Sequence, residues 1–179
     1  MRFRILSTAV IIAALCAGFS NSHAARLALD FELSDVNGKT VTLNSLKGNV
    51  VFLDFWASWC PPCRNSIPAV ESLYQELKDE KVVFIGINIE NKPALARNFA
   101  INNGINYTIL MGDQKTTRAY GVRGIPAFFL IDHQGNVVKT YVGFQDGLKE
   151  TWKSDIQELL LKIQEEKPNP AKKPSPRKK

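Results

Sequence analysis

The chain has 179 residues, of which 45% are hydrophobic and 22% charged, and its formal net charge is +6. This balance is ordinary for one globular domain and excludes a collagen-like, coiled-coil or wholly disordered chain. Eight of the 23 basic residues lie in the first four and last thirteen positions, which leaves 15 basic residues against 17 acidic ones in between. The excess positive charge therefore belongs to the ends, and we expect no nucleic-acid partner for the folded part.

The first 24 residues have the composition of a secretory signal. Positions 1–4 are basic, positions 5–18 are almost wholly apolar, and Ser22-His23-Ala24 offers small residues to a signal peptidase. Because a permanent membrane span needs about 20 apolar residues, we expect a signal peptide that directs the protein to the periplasm or another extracytoplasmic compartment. An uncleaved membrane anchor is the alternative. Lipid attachment at Cys16 is a third reading, which the bulky Leu15 disfavours.

Apolar runs and helical periodicities alternate through residues 25–166, which we expect to form one domain. The predicted strands span residues 29–33, 40–43, 50–56, 82–89, 107–111, 127–131 and 137–142. The predicted helices span residues 61–78, where Pro68 should introduce a kink, then 93–102 and 114–120. A last helix carries Leu148, Trp152, Ile156, Leu159, Leu160 and Ile163 on one face. Turn signals predict hairpins at the first and last strand pairs, and fully apolar strands predict an α/β fold whose mixed central sheet is flanked by helices.

The last thirteen residues, 167–179 (KPNPAKKPSPRKK), differ abruptly in composition from the rest. They hold four prolines and six basic residues. Such a segment has no apolar surface to bury, so we expect a disordered, solvated tail. Electrostatic contact of the tail with an anionic membrane surface or an acidic partner is the alternative.

The segment DFWASWCPPCR, residues 54–64, carries the chemistry. Without Cys16 the chain holds only Cys60 and Cys63, and a link across two residues closes too small a loop to stabilise a domain, so the pair must serve chemistry or a metal. The pair follows a buried strand and opens a helix, where free backbone N–H groups and the helix dipole favour a thiolate. Cys60 is expected at the exposed helix end and Cys63 one turn inward, an arrangement suited to thiol–disulfide exchange.

The segment WASWCPPC resembles the active site of the thioredoxin superfamily, and with the export signal and early hairpin it is most similar to extracytoplasmic TlpA/ResA-type reductases. The resemblance covers most of residues 29–165. It implies a thioredoxin-like fold with an N-terminal β-hairpin and an inserted strand–helix unit between Cys63 and Pro126. Within Val122-Arg-Gly-Ile-Pro126 it implies a cis peptide bond between Ile125 and Pro126 beside the active site, with Ile125 presenting its backbone to the substrate.

Four further residues are expected around the cysteines. Trp56, Trp59 and Pro62 should form an apolar rim that receives the substrate, although Trp56 could equally belong to the core. Asp54 interrupts an otherwise apolar strand, where burial should raise its pKa and allow it to assist proton transfer at Cys63. Thioredoxins often place a lysine near this acid, but Gly86 occupies the matching position, which should raise the pKa further. A strand-end aspartate that reaches solvent is the alternative.

Competing functions fit the residues less well. A zinc site needs about four ligands, whereas the exported chain offers two cysteines and His133, which we expect to be an exposed turn residue. A peroxiredoxin would carry threonine where Ala57 stands, and Met111 is distant from the cysteines as a haem or copper ligand. We therefore expect no cofactor beyond the Cys60–Cys63 disulfide, although a non-catalytic haem- or metal-handling domain stays open.

The resemblance implies a reductase of exported protein disulfides, recharged by a membrane electron donor of the CcdA/DsbD type. A role in cytochrome c maturation is less well supported, because Ser66 stands where that branch commonly has glutamate. A disulfide oxidase or isomerase shares the same framework and differs in redox potential. We expect the protein to be a monomer.

Overall fold

The computed structural model of the protein describes residues 26–90 and 92–166. The strands are β1 (Arg26–Leu27), β2 (Glu32–Ser34), β3 (Thr40–Thr42), β4 (Val50–Trp56), β5 (Val82–Asn88), β6 (Thr108–Met111), β7 (Ala127–Ile131) and β8 (Asn136–Val142). The helices are α1 (Pro61–Leu77), α2 (Pro93–Asn102), α3 (Gln114–Ala119) and α4 (Leu148–Glu166). The predicted signal peptide and basic tail lie outside the described residues.

Six strands form the central sheet in the order β1-β8-β7-β4-β5-β6. Strands β4, β5 and β6 run parallel, whereas β7 is antiparallel to β4 and β8 is antiparallel to β7. Strands β2 and β3 form a separate hairpin, and two strand–helix units, β5–α2 and β6–α3, stand between Cys63 and Pro126. The predicted mixed sheet, early hairpin and long insertion are therefore confirmed.

Both faces of the sheet are covered along β4, all seven residues of which are buried. On one face, Phe52 and Phe128 pack against Trp152 of α4, with ring centroids 5.2 and 4.5 Å apart. On the other face, Phe55 contacts Phe129 and Tyr120. A strand buried on both sides has little freedom to shift, so β4 fixes the position of whatever follows its last residue.

The structure differs from the sequence predictions mainly at the edges. The hairpin strands are shorter than predicted, because Thr42 accepts a hydrogen bond from the Ser45 amide and begins a 3₁₀ helix at Leu43. Strand β1 was not predicted, because it has only two residues, both exposed, and these show no alternation of apolar and polar side chains. Strand β8 is half-exposed rather than covered. As predicted, α1 continues through Pro68, which is exposed, and it ends at Leu77.

None of the helices within residues 26–90 and 92–166 is both long enough and apolar enough to span a membrane.

Candidate active site

Cys60 and Cys63 form a disulfide where β4 passes into α1, with an S–S distance of 2.09 Å. Cys60 is the N-cap residue of α1, and its Sγ accepts a hydrogen bond from the Cys63 amide at 3.3 Å. Pro61 and Pro62 occupy the first helical positions, where their missing N–H groups cost nothing. The Cys63 amide that contacts Cys60 Sγ would stabilise a thiolate on Cys60 after reduction.

Both sulfurs lie below the surface in this disulfide form. Cys60 is 3% exposed and Cys63 is fully buried, in an apolar cluster with Trp56, Ile67 and Ala100. The expectation of an openly exposed Cys60 is therefore wrong, because Cys60 packs in this cluster with side chains of α1 and α2 and beside Ile125. The order of burial still has the predicted sense, since Cys60 is slightly less buried than Cys63.

The peptide bond between Ile125 and Pro126 is cis, as the resemblance to the thioredoxin superfamily implied. The carbonyl oxygen of Ile125 lies 3.7 Å from the Sγ of Cys60. Ile125 is half-buried and Pro126 is buried. The fold therefore brings this loop, which precedes β7, directly against the cysteine that caps α1.

The two tryptophans have different surroundings. Trp59 is 61% exposed, and Pro62, three residues later in the chain, is also exposed. Trp56 is fully buried, with its ring 5.2 Å from that of Phe99 in α2. Trp56 is therefore a core residue, and its inclusion in the apolar rim is wrong, because the last residue of β4 still lies under α2.

Asp54 is fully buried in the middle of the sheet. Its Oδ2 accepts a hydrogen bond from the Tyr107 hydroxyl at 3.5 Å, and within the described parts of the chain its Oδ1 has no partner. Burial raises the pKa of Asp54 to about 7, and the Tyr107 hydrogen bond opposes part of that rise. The predicted burial and raised pKa are confirmed, and a strand-end aspartate that reaches solvent is excluded.

Gly86 lies opposite Asp54 in the β4–β5 register, as predicted. A Cβ at this position would lie 2.8 Å from Trp56 Nε1 and 3.0 Å from Tyr107 Cε2. The glycine therefore leaves room for both rings, and a tyrosine just before β6 takes the place of the lysine that thioredoxins often use. The contact of Tyr107 with Asp54 could not be predicted, because only the pairing of β4, β5 and β6 brings the two residues together.

His133 and Ser66 have structural surroundings. His133 lies in the turn before β8, but its side chain is only 17% exposed and its Nε2 lies 2.7 Å from a Glu166 carboxylate oxygen. The expectation of a freely exposed histidine is wrong, because the end of α4 covers the turn. Ser66 is buried, and its hydroxyl donates to the Cys63 carbonyl. Residues 26–90 and 92–166 contain no cluster of three or more metal-binding side chains.

The comparisons with known proteins agree with this geometry. The chain matches the Redoxin family over residues 23–159. It is 34% identical over 131 residues to the thiol-disulfide oxidoreductase ResA of Bacillus subtilis (strain 168), and 73% of each chain is covered. For ResA of Halalkalibacterium halodurans, the identity is 33% over 142 residues with 79% of each chain covered. A crystal structure of a protein assigned as thiol:disulfide interchange protein DsbE from Chlorobium tepidum has a TM-score of 0.71 and 36% identity, covering 76% of this chain and 96% of that one.

The sheet order, the capping cysteine and these similarities define a thioredoxin-like thiol-disulfide oxidoreductase. The chain belongs to the Redoxin family and is of the ResA type within the thioredoxin superfamily.

The raised pKa of Asp54 predicts a pH-dependent cost to stability. The unfolded chain loses the Asp54 proton near the ordinary pKa of 3.8, whereas the oxidised folded protein holds it to about pH 7. The Asp54 contribution therefore lowers the free energy of unfolding as the pH rises from about 4 to about 7, and is constant above that. Asp54→Asn should remove this cost, so its stability advantage should grow to the order of 4 kcal/mol above pH 7.

Denaturant unfolding of the oxidised wild-type and Asp54→Asn proteins at pH 5 and pH 8 measures this difference. An advantage that is equal at the two pH values, or a less stable variant at pH 8, contradicts the assignment of a buried, proton-binding Asp54.

Proposed function

We propose that the protein reduces disulfides of exported proteins, with Cys60 as the attacking thiol and Cys63 as the resolving thiol. The observation that carries this assignment is the contrast at the start of α1. Cys60 Sγ caps the helix 3.7 Å from the Ile125 carbonyl oxygen, next in the chain to the exposed Trp59, whereas Cys63 is fully buried one turn further along the helix. Only Cys60 is therefore placed to meet a second polypeptide, and only Cys63 is placed to attack Cys60 from within.

The reaction transfers two electrons in two exchanges. The Cys60 thiolate attacks one sulfur of the substrate disulfide, forms a mixed disulfide and expels the other substrate sulfur as a thiolate. The Cys63 sulfur, once deprotonated, attacks Cys60 Sγ and expels the remaining substrate sulfur. The substrate leaves with two thiols, and the enzyme holds the Cys60–Cys63 disulfide. The Cys63 amide that now contacts Cys60 Sγ at 3.3 Å supports the first step by stabilising the thiolate.

Substrate binding is assigned to the surface around Cys60. Trp59 and Pro62 are exposed and offer apolar contact area. The Ile125 backbone, before the cis Pro126, lies close enough to Cys60 to pair with an extended substrate strand. A polypeptide bound in this way would bring its disulfide to Cys60, the less buried of the two cysteines.

Asp54 is assigned the proton-accepting role for Cys63. It lies two residues before Trp56 and therefore on the same face of β4 as Trp56, which packs in one apolar cluster with Cys63. Its pKa of about 7 suits a base at neutral pH. The proton would pass through an intervening water as Cys63 attacks the mixed disulfide. Tyr107 donates its long hydrogen bond to Oδ2, whereas Oδ1 has no partner among residues 26–90 and 92–166 and is therefore open to such a proton.

The location and partners of the reaction follow from the N-terminal segment and the ResA similarity. The signal-like sequence supports an extracytoplasmic protein. The ResA similarity supports a protein thiol as the substrate, and the resemblance of WASWCPPC to TlpA/ResA-type reductases suggests apocytochrome c or another exported protein. A membrane electron donor of the CcdA/DsbD type would return the Cys60–Cys63 disulfide to the dithiol. Ser66, which binds the Cys63 carbonyl in place of a glutamate, favours a broader substrate range than cytochromes alone.

The reduction potential of the Cys60–Cys63 pair tests the direction of the reaction. A reductase should have a potential near that of thioredoxin, about −270 mV, whereas a strong oxidase should lie near −120 mV. Equilibration with glutathione or dithiothreitol redox buffers measures this potential. A value near the oxidase end would overturn the reductase assignment.

The roles of the two cysteines predict unequal trapping of substrate. Cys63→Ser should accumulate a covalent adduct, because Cys60 still attacks but nothing resolves the mixed disulfide. Cys60→Ser should accumulate almost none, because the remaining sulfur is fully buried. Non-reducing electrophoresis with a disulfide-containing polypeptide measures the adducts. Equal trapping by both variants would contradict the assignment of Cys60 as the attacking thiol and Cys63 as the resolving thiol.

The Asp54 role predicts the pH dependence of mixed-disulfide release. Release should accelerate with a midpoint near pH 7 as Asp54 loses its proton, and Asp54→Asn should slow it at neutral pH while initial attack stays largely unchanged. Tyr107→Phe removes the opposing hydrogen bond, so the midpoint should move to higher pH. Stopped-flow measurement of release across pH 5 to 9 records both effects.

Tyr74→Phe is the matched control for Tyr107→Phe. The Tyr74 ring packs against that of Tyr107 at 6.0 Å, so both variants lose one hydroxyl in the same aromatic cluster. Only the Tyr107 hydroxyl binds Asp54. An equal shift of the release midpoint in both variants, or none in Tyr107→Phe, would contradict the Tyr107–Asp54 link.

A further inference from the structure

Glu90 fixes the position of Ser58, the residue that comes before Trp59 and Cys60. It lies two residues beyond the end of β5, and each of its carboxylate oxygens binds Ser58. The Ser58 amide donates to Glu90 Oε2 at 2.6 Å, and the Ser58 hydroxyl donates to Oε1 at 2.8 Å. A carboxylate that accepts both a backbone and a side-chain hydrogen bond fixes the position and the orientation of its partner.

Glu90 is itself held in place by Asn88. The Asn88 side chain donates to Glu90 Oε2 at 3.0 Å, and its Oδ1 accepts the Glu90 amide at 3.0 Å. Asn88 is fully buried and lies opposite Trp56 in the β4–β5 register. Burial alone would raise the pKa of Glu90, but the hydrogen bonds from Asn88 and Ser58 outweigh it and hold the pKa below its usual range. The carboxylate is therefore charged at neutral pH.

Arg64 holds the same residue from the other side. Its Nε donates to the Ser58 carbonyl at 2.7 Å, and its guanidinium lies over the Phe99 ring at 5.9 Å. Both backbone polar groups of Ser58 are thus bound, the N–H by the end of β5 and the C=O by the first turn of α1.

Ser58 and Trp59 are the middle residues of a tight turn. The Cys60 amide donates to the Ala57 carbonyl at 3.2 Å, which closes the turn between the end of β4 and the start of α1. Trp59 stands 61% exposed from this turn, next to the sulfur that meets the substrate. Its direction depends on the backbone of Ser58, because few contacts hold so exposed a ring.

We propose that Glu90 is a positioning residue for the binding of polypeptide substrates, acting through the Ala57–Cys60 turn to direct Trp59 at the bound chain. This proposal rests on the proposed function of the Cys60 surface. A polypeptide long enough to contact Trp59 gains from a fixed ring, because no entropy is lost in ordering it on binding. A small disulfide needs only Cys60 and gains nothing from Trp59.

Glu90→Gln tests the proposal, because it keeps the size of the side chain but replaces one acceptor oxygen with an NH₂ group. The KM for an unfolded polypeptide with one disulfide should rise about tenfold, with kcat within twofold. For hydroxyethyl disulfide, kcat/KM should stay within twofold of the wild type. Equal losses on both substrates, or no loss on either, would overturn the proposal.

Asp132→Asn is the matched control. Asp132 also holds a turn through backbone amides, those of Gln134 and Asn136. It lies at the opposite end of the sheet, since Ile131 pairs with the start of β4 and Ala127 pairs with Phe55 near its end. This variant removes the same charge and should leave KM for the polypeptide within twofold. A rise similar to that of Glu90→Gln would show a general effect of turn loosening and overturn the specific role.

A double-mutant cycle with Trp59→Ala shows whether Glu90 acts through the ring. Adding Glu90→Gln to Trp59→Ala should raise KM for the polypeptide no further, whereas a second tenfold rise would overturn the assigned route. If Glu90→Gln fails to fold, Ser58→Ala decides instead. It loses only the hydroxyl contact and should raise the polypeptide KM about threefold, and an unchanged KM would overturn the proposal. A wild-type enzyme that reduces neither substrate would instead refute the proposed function.

Discussion

The burial of β4 on both faces is the constraint from which the active site follows. Phe52 packs against Trp152 on one face of the strand, and Phe55 packs against Phe129 on the other. The chain leaves β4 at Trp56 and must begin α1 at Pro61. The turn between them is therefore fixed at both ends, and Cys60 becomes the cap of the helix. The Cys60 sulfur therefore lies against the Cys63 amide in the first turn of α1.

Two carboxylates near this turn, Asp54 and Glu90, have pKa values shifted in opposite directions by their surroundings. Asp54 is fully buried with one long hydrogen bond, so the loss of solvation dominates and its pKa rises to about 7. Glu90 accepts three hydrogen bonds, which dominate over its partial burial and lower its pKa. The first carboxylate is suited to exchanging a proton near neutral pH. The second stays charged and is suited to holding a backbone.

The sequence indicated those parts of the site that depend on local order along the chain. The strand–turn–helix around Cys60 could be predicted because a buried run, a Cys-x-x-Cys pair and two prolines occur in succession. The burial of Asp54 could be predicted because both neighbours on its strand are apolar. Tyr107 and Glu90 could not, because strand pairing alone brings them to Asp54 and Ser58 from 53 and 32 positions away. The burial of Trp56 and Cys60 likewise depends on α2 and the Pro126 loop packing over the end of β4.

The region around Asp54 also holds most of the buried polar atoms that lack a hydrogen-bond partner within the described residues. Among the described residues, three buried polar side-chain atoms lack a partner, and two of them, Asp54 Oδ1 and Trp56 Nε1, face the same side of β4. A sheet designed for stability alone would place an apolar side chain at position 54, since an unpaired buried carboxylate costs several kcal/mol. The surrounding core, with Phe52 and Leu53 fully buried on either side of the sheet, offsets this cost. A rigid core on both faces of one strand is thus what allows a buried proton-binding group to be kept on β4, the strand that leads into the turn before Cys60.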